Sequence, residues 1–114
     1  MGDVTFGLLQ AATDDCAEAV LVTDPKARIV MVNGPAGRLL GISTRELQKL
    51  TLWDITHATY QSDFDILWKE FLRAGRQRGQ YGMRHMDGSV VEVAYCAEAN
   101  VLRDCSVIVL RRLS

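Results

Sequence analysis

The chain has 114 residues, of which 48% are hydrophobic and 24% are charged. A single core commonly takes about 100 to 200 residues, so this length excludes a two-domain enzyme within these residues. The 13 basic and 14 acidic residues leave a formal net charge of -1. This balance predicts no direct contact with nucleic acid or with an anionic membrane surface.

Signals for export and for metal binding are missing from the sequence. No stretch reaches the roughly 18 unbroken apolar residues that cross a bilayer, and the N-terminus lacks a basic region followed by an apolar run. Cys16, Cys96 and Cys105 show no C-x-x-C spacing, which predicts neither a disulfide framework nor a zinc site. We therefore expect a cytoplasmic domain without a bound metal.

The first segment, residues 3–16, is predicted to be a short amphipathic helix. Its apolar residues fall near helical spacing and are Val4, Phe6, Leu8, Leu9 and Ala12. Two runs rich in Val, Ile and Leu follow at residues 19–23 and 29–32. The sequence between them, Asp24-Pro25-Lys26-Ala27, contains a proline that presets a turn, so the two runs predict a β-hairpin.

Two short helices are predicted next. Asn33 can cap the first of them with its side-chain oxygen, and Pro35 suits a first helical turn that needs no amide donor. Gly41 can end this helix in a left-handed conformation. Ser43 followed by Glu46 forms a capping box for the second short helix.

One long helix is predicted from residue 61 or 62 to residue 74. Its apolar side repeats at intervals of three and four and consists of Phe64, Leu67, Trp68 and Phe71. Strands are then predicted over residues 80–85 and 90–97, joined at Asp87-Gly88, and over residues 106–110. Hairpins at both ends imply an α+β domain with an antiparallel sheet of about five strands, covered on one face by the helices.

An ordered set of short motifs runs through the chain from residue 19 onward. The set comprises Val22-Thr23-Asp24, Arg28-Ile29-Val30-Met31-Val32-Asn33, Ala36, Leu39-Leu40-Gly41, Ser43, Glu46-Leu47 and Met86-Asp87-Gly88-Ser89. In order and spacing it resembles the PAS domain family, the small sensory modules of signalling proteins. The resemblance implies a PAS core over residues 18–114 and an N-terminal amphipathic cap helix over residues 1–17.

The chain departs from the family pattern at three places. Ala27 stands where a glycine is usual before the second strand, and Lys49 stands where a glycine often follows the Glu-Leu pair. The last residues lack the Asp-Ile-Thr-like ending through which many members pass signals to a following helix. We therefore expect a slightly different backbone at Ala27 and Lys49.

The resemblance also implies a small internal cavity beneath the helices, closed by the long helix. The resemblance and strand alternation together predict which residues line this cavity. They are Met31, Leu40, Ile55, Phe64, Leu67, Trp68, Phe71, Tyr81, Met83, His85, Val93 and Tyr95. Trp68, His85 and Tyr95 supply hydrogen-bonding groups among apolar side chains, as ligand pockets do. The alternative is a packed core without a ligand, because close packing is usual in interiors.

The resemblance gives little ground for a cofactor. Haem-binding members carry an axial histidine on the long helix, and residues 62–74 contain none. Flavin-bonding members use a cysteine in an Asn-Cys-Arg-Phe-type segment, where this chain has Leu50-Thr51-Leu52-Trp53-Asp54-Ile55. We therefore expect no haem and no flavin, with a small organic ligand as the remaining candidate. No catalytic residues are predicted, because no nucleophile signature or phosphate-binding loop occurs.

The last predicted strand is apolar on both faces, so one of them needs a cover other than the cavity helices. The N-terminal segment is the expected cover, from its own chain or from a second protomer, and family members commonly dimerise through such helices. The candidate dimer-interface residues are Phe6, Leu8, Leu9, Ala12, Ile108 and Leu110.

The predicted function is that of a sensory, non-enzymatic module. The resemblance implies a homodimer whose output domain, elsewhere in the full-length protein, is a histidine kinase, a cyclic-dinucleotide enzyme or a transcriptional regulator. The alternative is a structural module that only dimerises and has a filled core.

Overall fold

The computed structural model describes residues 2–113, with side chains from residue 7 onward. Its helices are α1 (Gly2–Asp15), α2 (Gly34–Leu40), α3 (Thr44–Leu47) and α4 (Gln61–Ala74), and one 3-10 turn, Ala58–Tyr60, directly precedes α4. Its strands are β1 (Ala19–Thr23), β2 (Ile29–Val32), β3 (Arg76–Arg84), β4 (Val90–Leu102) and β5 (Cys105–Arg112).

The strands form one antiparallel sheet in the order β2-β1-β5-β4-β3. Hairpins join β1 to β2, β3 to β4 and β4 to β5, and the pairing of β5 with β1 then connects the two ends of the chain. Strands β1 and β5 contain runs of Val, Ile and Leu and lie in the interior of the sheet, where both faces can be covered. The predicted α+β class and five-stranded antiparallel sheet are confirmed.

The register assigns strand residues to two faces of the sheet. Ile108 pairs with Leu21 on one side and with Ala97 on the other, so these three residues share the inner face, which faces α4. Val22 pairs with both Met31 and Val107, which places those three on the opposite, outer face. The main hydrophobic core lies on the inner face, and a smaller cluster lies on the outer face.

The predicted signals at the helix ends are confirmed. The side chain of Ser43 accepts a hydrogen bond from the amide of Glu46 at the start of α3. Gly41 and Gly75 adopt left-handed φ values of 68° and 85° directly after α2 and α4. Gly75 follows the last residue of α4, as predicted, and β3 begins at the next residue, Arg76.

Strands β3 and β4 are longer than the sequence pattern predicts. Strand β4 extends to Leu102 instead of residue 97, and β3 begins at Arg76 instead of residue 80. The added segments are polar or exposed, so no alternation of apolar and polar residues marks them. Strand β4 turns into β5 through Arg103 and Asp104, which both have positive φ in a turn usually built from Asn-Gly.

The backbone at Ala27 is left-handed, with a φ of 63°. Glycine adopts this conformation at no steric penalty, whereas an alanine Cβ crowds the following carbonyl oxygen. The expectation of a different backbone at Ala27 is therefore wrong: this alanine adopts the left-handed conformation that favours glycine, and its methyl group is buried.

Asn33 joins three segments of the chain with one buried side chain. Its Nδ2 donates to the carbonyl oxygens of Thr13, Cys16 and Glu18 at 3.0, 3.3 and 2.7 Å. Its Oδ1 accepts from the amide of Val20 at 3.0 Å and from the first turn of α2 at 3.1 Å. The residue predicted as a helix cap therefore also fastens the end of α1 to the sheet.

Helix α1 contacts the outer face of the sheet through one side only. Leu9 packs against the outer-face cluster and Thr13 is buried, whereas Leu8 and Ala12 are exposed. The predicted cover of the outer face is thus supplied at least in part by the same chain.

None of the helices in the described part of the chain is both long enough and apolar enough to cross a membrane.

Candidate ligand cavity

A cavity of about 70 Å³ lies between α4 and the inner face of the sheet. Helix α4 lines it with Phe64, Leu67, Trp68 and Phe71. The sheet lines it with Leu21, Gln77, Tyr81, Met83, Tyr95, Ala97, Ile108 and Leu110, and the segment before α4 adds Leu52 and Thr56. A water molecule needs about 10 to 15 Å³ by the same kind of measure, so the space suits a few waters or a small organic group.

The structure brings together seven of the residues predicted to line a cavity. They are Phe64, Leu67, Trp68, Phe71, Tyr81, Met83 and Tyr95. Helical spacing places the first four on one side of α4, and alternation places the other three on the inner face. The predicted position of α4 over the inner face of the sheet is therefore confirmed.

Aromatic rings form much of the boundary of the cavity. The rings of Phe64 and Trp68 are nearly parallel, at an interplanar angle of 8°, with centroids 6.2 Å apart. Trp68 and Phe71 are tilted at 5.4 Å, and Tyr81 meets Tyr95 edge-on at 6.3 Å. These are favourable geometries for aromatic pairs, so each ring helps to hold its neighbour in place.

The hydroxyl group of Tyr95 bonds to protein atoms rather than pointing free into the cavity. It donates to Oε1 of Gln77 at 2.9 Å, and Nε2 of Gln77 donates to the carbonyl oxygen of Leu67 at 3.1 Å. This chain of bonds runs from β4 through β3 to α4. Burial raises the pKa of Tyr95 above its usual range.

A second chain of bonds crosses the other end of the lining. The hydroxyl of Tyr81 donates to Oγ1 of Thr56 at 3.2 Å, and Oγ1 of Thr56 donates to the carbonyl oxygen of Leu52 at 2.8 Å. Burial is the main cause that raises the pKa of Tyr81. Both tyrosines therefore remain neutral at physiological pH.

Trp68 links α4 to the turn between β1 and β2. Its indole Nε1 donates to the carbonyl oxygen of Pro25, in the turn between β1 and β2, at 3.2 Å. Its ring lines the cavity at the same time. Displacement of this ring would therefore act on both the helix and the turn.

Three predicted lining residues are buried but lie away from the cavity. Leu40, Ile55 and Val93 belong to the main core, each with no exposed surface, and do not line the cavity. Their apolar character is predicted correctly, but the sequence does not specify how far along the inner face the cavity extends.

Two other predicted lining residues are contradicted. Met31 lies on the outer face, because it pairs with Val22, and belongs to the outer-face cluster. His85 follows the end of β3, where its ring lies close to Gly41, and its Nδ1 is 3.1 Å from Oδ1 of Asp87. Neither side chain borders the cavity, and both predictions are wrong. Alternation cannot assign Met31 to a face because all of β2 is apolar, and the alternation of Tyr81 and Met83 does not reach His85 because β3 ends at Arg84.

The candidate dimer residues fall into separate groups. Ile108 and Leu110 line the cavity, so their assignment to an outer interface is wrong; Val107 and Val109 hold the outward positions of β5 instead. The side chain of Phe6 lies outside the described residues. Leu9 packs on the outer face of its own chain, whereas Leu8 and Ala12 remain exposed on α1.

The structure also adds residues to the predicted lining. They are Leu21, Leu52, Thr56, Gln77 and Ala97, besides Ile108 and Leu110. Alternation on β4 from Tyr95 already pointed to Ala97, and the pairing of β1 with β5 would have added Leu21. Gln77 had no signal, because it lies in the polar part of β3 that was not predicted as a strand.

The donor set of the cavity does not fit haem or flavin. No histidine lines the cavity to serve as an axial haem ligand, no cysteine lines it to bond a flavin covalently, and its volume of about 70 Å³ is below the roughly 300 to 1,000 Å³ of usual ligand pockets. Within the described part of the chain, no group of three or more His, Cys, Asp or Glu side chains could hold a metal ion.

The five-stranded antiparallel sheet, with its long helix over one face and a small cavity between them, defines an α+β domain. A family model described as a PAS domain matches residues 7–74. This match spans more than half of the chain, so the chain belongs to the PAS domain family.

Comparison with solved structures agrees with the fold. A PAS domain from a two-component sensor histidine kinase superposes with a TM-score of 0.78 at 19% identity, covering 99% of this chain and 100% of that chain. The PAS domain of an HTR-like protein from Haloarcula marismortui gives 0.78 at 19% identity, covering 97% and 93%. The Rhodobacter sphaeroides LOV protein gives 0.87 at 13% identity, covering 100% and 69%.

At these identities the likeness concerns the fold. No curated protein matches the chain.

Proposed function

We propose that this PAS domain is a sensory, non-enzymatic module of a cytoplasmic signal transduction protein, and that a small organic ligand acts in the cavity. The observation that carries the proposal is the position of Trp68, which lines the cavity and also bonds to Pro25. A change inside the cavity would thereby act on both α4 and the turn between β1 and β2.

The size of the cavity supports a link between binding and movement. An engineered cavity of about 150 Å³ is known to accept benzene, and this cavity measures about 70 Å³. A ligand of that size therefore needs α4 to move away from the sheet, which stretches the Trp68–Pro25 hydrogen bond. Two packings of α4, one with and one without ligand, are the two states that such a sensor requires.

The output is assigned to another domain of the full-length protein, and a histidine kinase is favoured among the three candidates. The fold of a PAS domain from a two-component sensor histidine kinase matches this chain over its whole length. Haem and flavin are not proposed, because the lining offers no axial histidine and no cysteine. An absorption spectrum of the purified protein without visible bands is the expected result.

A homodimer is proposed as the second function, and exposed apolar residues on α1 favour it. Leu8 is 67% exposed on the side of α1 that faces away from its own sheet, next to Ala12. A second protomer would cover them. In the alternative function, this dimer contact is the only role of the domain and the core holds no ligand.

Native mass spectrometry of the freshly purified domain tests ligand binding, and two matched variants locate it. Ala97 lines the cavity from β4, so Ala97→Leu fills the space with three further carbon atoms. Ala94 lies on the same strand but pairs with Arg111 on the outer face, so Ala94→Leu adds the same atoms outside the cavity. We expect a small non-covalent adduct in wild type and in Ala94→Leu, but not in Ala97→Leu.

The two functions give different outcomes in this experiment. An adduct that Ala97→Leu retains would place the ligand elsewhere and contradict the proposal. A bare chain in all three proteins, together with a tight dimer that Leu8→Asp disrupts, would favour the structural module instead.

A further inference from the structure

Five of the side chains that line the cavity carry hydrogen-bonding N or O atoms. They are Thr56, Trp68, Gln77, Tyr81 and Tyr95. The two tyrosine hydroxyls donate to side chains of this same group, and the other three residues donate to backbone carbonyl oxygens. Each hydroxyl hydrogen of the lining, and the indole N–H, is therefore already used within the protein.

The buried side-chain atoms that lack a hydrogen-bond partner lie elsewhere. Among the described residues, these atoms are the hydroxyl oxygens of Thr23 and Ser106. Neither residue lines the cavity. Within the described part of the chain, the cavity therefore presents no buried side-chain N or O atom that needs a partner from a ligand.

The rest of the lining is apolar. It consists of Leu21, Leu52, Phe64, Leu67, Phe71, Met83, Ala97, Ile108 and Leu110. Among the described residues, no charged side chain borders the cavity. An ionised ligand group would leave water without a counter-charge, and a neutral polar group would lose its bonds to water or compete with a bond that the protein already makes. Both changes are unfavourable.

An apolar molecule enters such a space without these penalties. Cavities lined by Leu, Ile and Phe stay dry and take up benzene or xenon. The transfer of apolar surface from water into such a lining is favourable in proportion to the area that is buried. The rings of Phe64, Trp68 and Phe71 add faces and edges against which a further ring can pack.

We infer that the ligand is a small hydrocarbon, a molecule without charge and without a hydrogen-bonding group. It lies against the apolar side chains of α4 and of the inner face of the sheet, and it leaves the hydrogen bonds of the lining side chains to one another intact. The inference rests on the proposed function, in which the cavity takes a ligand, and it adds the chemical class of that ligand.

Titration of the isotope-labelled domain with toluene and with phenol, followed by NMR, tests the inference. The two molecules have the same number of non-hydrogen atoms, so each requires a similar displacement of α4, which largely cancels in the ratio of their affinities. We expect the wild type to bind toluene at least about tenfold more tightly than phenol, because the buried phenol hydroxyl finds no free partner. Ala97→Leu, which fills the cavity, should abolish the binding of both.

Tyr95→Phe should reverse part of this preference. The variant removes the hydroxyl that donates to Oε1 of Gln77, while Nε2 of Gln77 keeps its bond to the carbonyl oxygen of Leu67. The freed Oε1 belongs to a lining residue and can accept a hydrogen bond from phenol but not from toluene. The ratio of toluene affinity to phenol affinity should therefore fall by about fivefold to tenfold, the effect of one buried hydrogen bond.

Tyr60→Phe is the matched control, because the hydroxyl of Tyr60 donates to Glu92 and Tyr60 does not line the cavity. It removes the same atom as Tyr95→Phe and should leave the ratio of the two affinities unchanged. The NMR spectra of both variants show directly whether each remains folded, so a changed ratio will not reflect unfolding.

Three results would overturn the inference, and they differ in what they say of the proposed function. If phenol binds the wild type as tightly as toluene and Ala97→Leu blocks both, the ligand class is wrong, while the cavity remains a ligand site. If Tyr95→Phe keeps the wild-type ratio, the bonds within the lining are not what excludes polar ligands, and the class again loses its basis.

The third result is that neither molecule binds the wild type, and native mass spectrometry then separates the two proposals. A small adduct that Ala97→Leu loses would overturn the hydrocarbon class alone. A bare chain in the wild type would overturn the inference and the proposed ligand function together.

Discussion

The indole Nε1 of Trp68 donates a hydrogen bond of 3.2 Å to the carbonyl oxygen of Pro25. This bond joins the middle of α4 to the turn between β1 and β2, which is remote from it in sequence. A second attachment lies next to the first on α4, because Gln77 on β3 donates to the carbonyl oxygen of Leu67. The helix over the cavity is thus held at two points, and both of its contacts are made by residues that line the cavity.

Trp68→Phe should loosen α4 without removing the aromatic ring from the cavity. The variant loses one partly exposed hydrogen bond and part of the ring, so the free energy of unfolding should fall by about 1 kcal/mol. Hydrogen exchange of the amides of α4 should become faster, because the Pro25 attachment is gone. Urea unfolding and hydrogen exchange measured by NMR check the two effects.

Trp53→Phe is the control for this variant, because Trp53 is 47% exposed and does not line the cavity. It should change neither the stability nor the exchange of α4. Equal exchange rates of α4 in the wild type and in Trp68→Phe would show that the bond to Pro25 does not hold the helix.

Alkaline pH should destabilise the domain through Tyr81 and Tyr95. Burial raises the pKa of both phenols above the usual value of about 10. Above that pH the unfolded chain loses these protons before the folded chain does, so the unfolded state binds fewer protons and the free energy of unfolding falls as the pH rises. Below the unfolded pKa this contribution is fully present.

The measurement is urea unfolding at several pH values between about 8 and 11, beside a titration of tyrosinate absorbance. The double variant Tyr81→Phe, Tyr95→Phe should lose stability less steeply over this range than the wild type. Tyr60 remains as an internal reference; its pKa is also raised, chiefly by the hydrogen bond to Glu92. An identical slope in both proteins would contradict the assignment.

Local signals in the sequence predicted most of the helices and turns correctly. Asn33, Ser43 and Gly75 act at the helix ends where their side chains or their backbone freedom suit those positions. The spacing of Phe64 and Trp68 predicted which side of α4 faces the sheet, because a helix fixes the direction of each side chain by local geometry. These features need no knowledge of distant contacts.

Features that depend on pairing between distant strands were not predictable in the same way. All four residues from Val107 to Leu110 are apolar, so alternation cannot tell which of them face the cavity, and Ile108 was assigned to the wrong side. Met31 failed for the same reason. The unpartnered hydroxyls of Thr23 and Ser106 come together only through the pairing of β1 with β5, which lie at opposite ends of the chain.

Asn33→Ala should separate α1 from the sheet. The variant removes five hydrogen bonds, three of them from Nδ2 to carbonyl oxygens at the end of α1 and before β1. Several of these groups are buried and would lose their partners, so we expect the free energy of unfolding to fall by about 2 to 4 kcal/mol. Urea unfolding measures the loss.

Asn33→Asp distinguishes the two roles of this side chain. Aspartate keeps an acceptor for the start of α2, but it cannot donate and would set a carboxylate against the carbonyl oxygens of Thr13, Cys16 and Glu18. Hydrogen exchange should therefore become faster in α1 and remain slow in α2. If α1 keeps its protection in Asn33→Asp, the Nδ2 bonds do not attach this helix.

Ala27→Gly tests whether the left-handed backbone at Ala27 is under strain. A non-glycine residue in this conformation loses about 1 to 2 kcal/mol relative to glycine, whereas glycine makes the unfolded chain more flexible by about 0.4 to 1 kcal/mol. Ala36→Gly is the matched control, because Ala36 is also buried but lies in α2 with a helical backbone. Both substitutions remove one buried methyl group and add the same flexibility.

The difference between the two variants therefore isolates the effect of φ. Ala36→Gly should lower the free energy of unfolding by about 1 kcal/mol or more, because glycine is a poor helix former and a buried contact is lost. Ala27→Gly should remain within about 1 kcal/mol of the wild type, because relief of strain offsets the same losses. If both variants lost equal stability in urea unfolding, the alanine at φ 63° would carry no strain, and the turn before β2 would have no physical reason to prefer glycine.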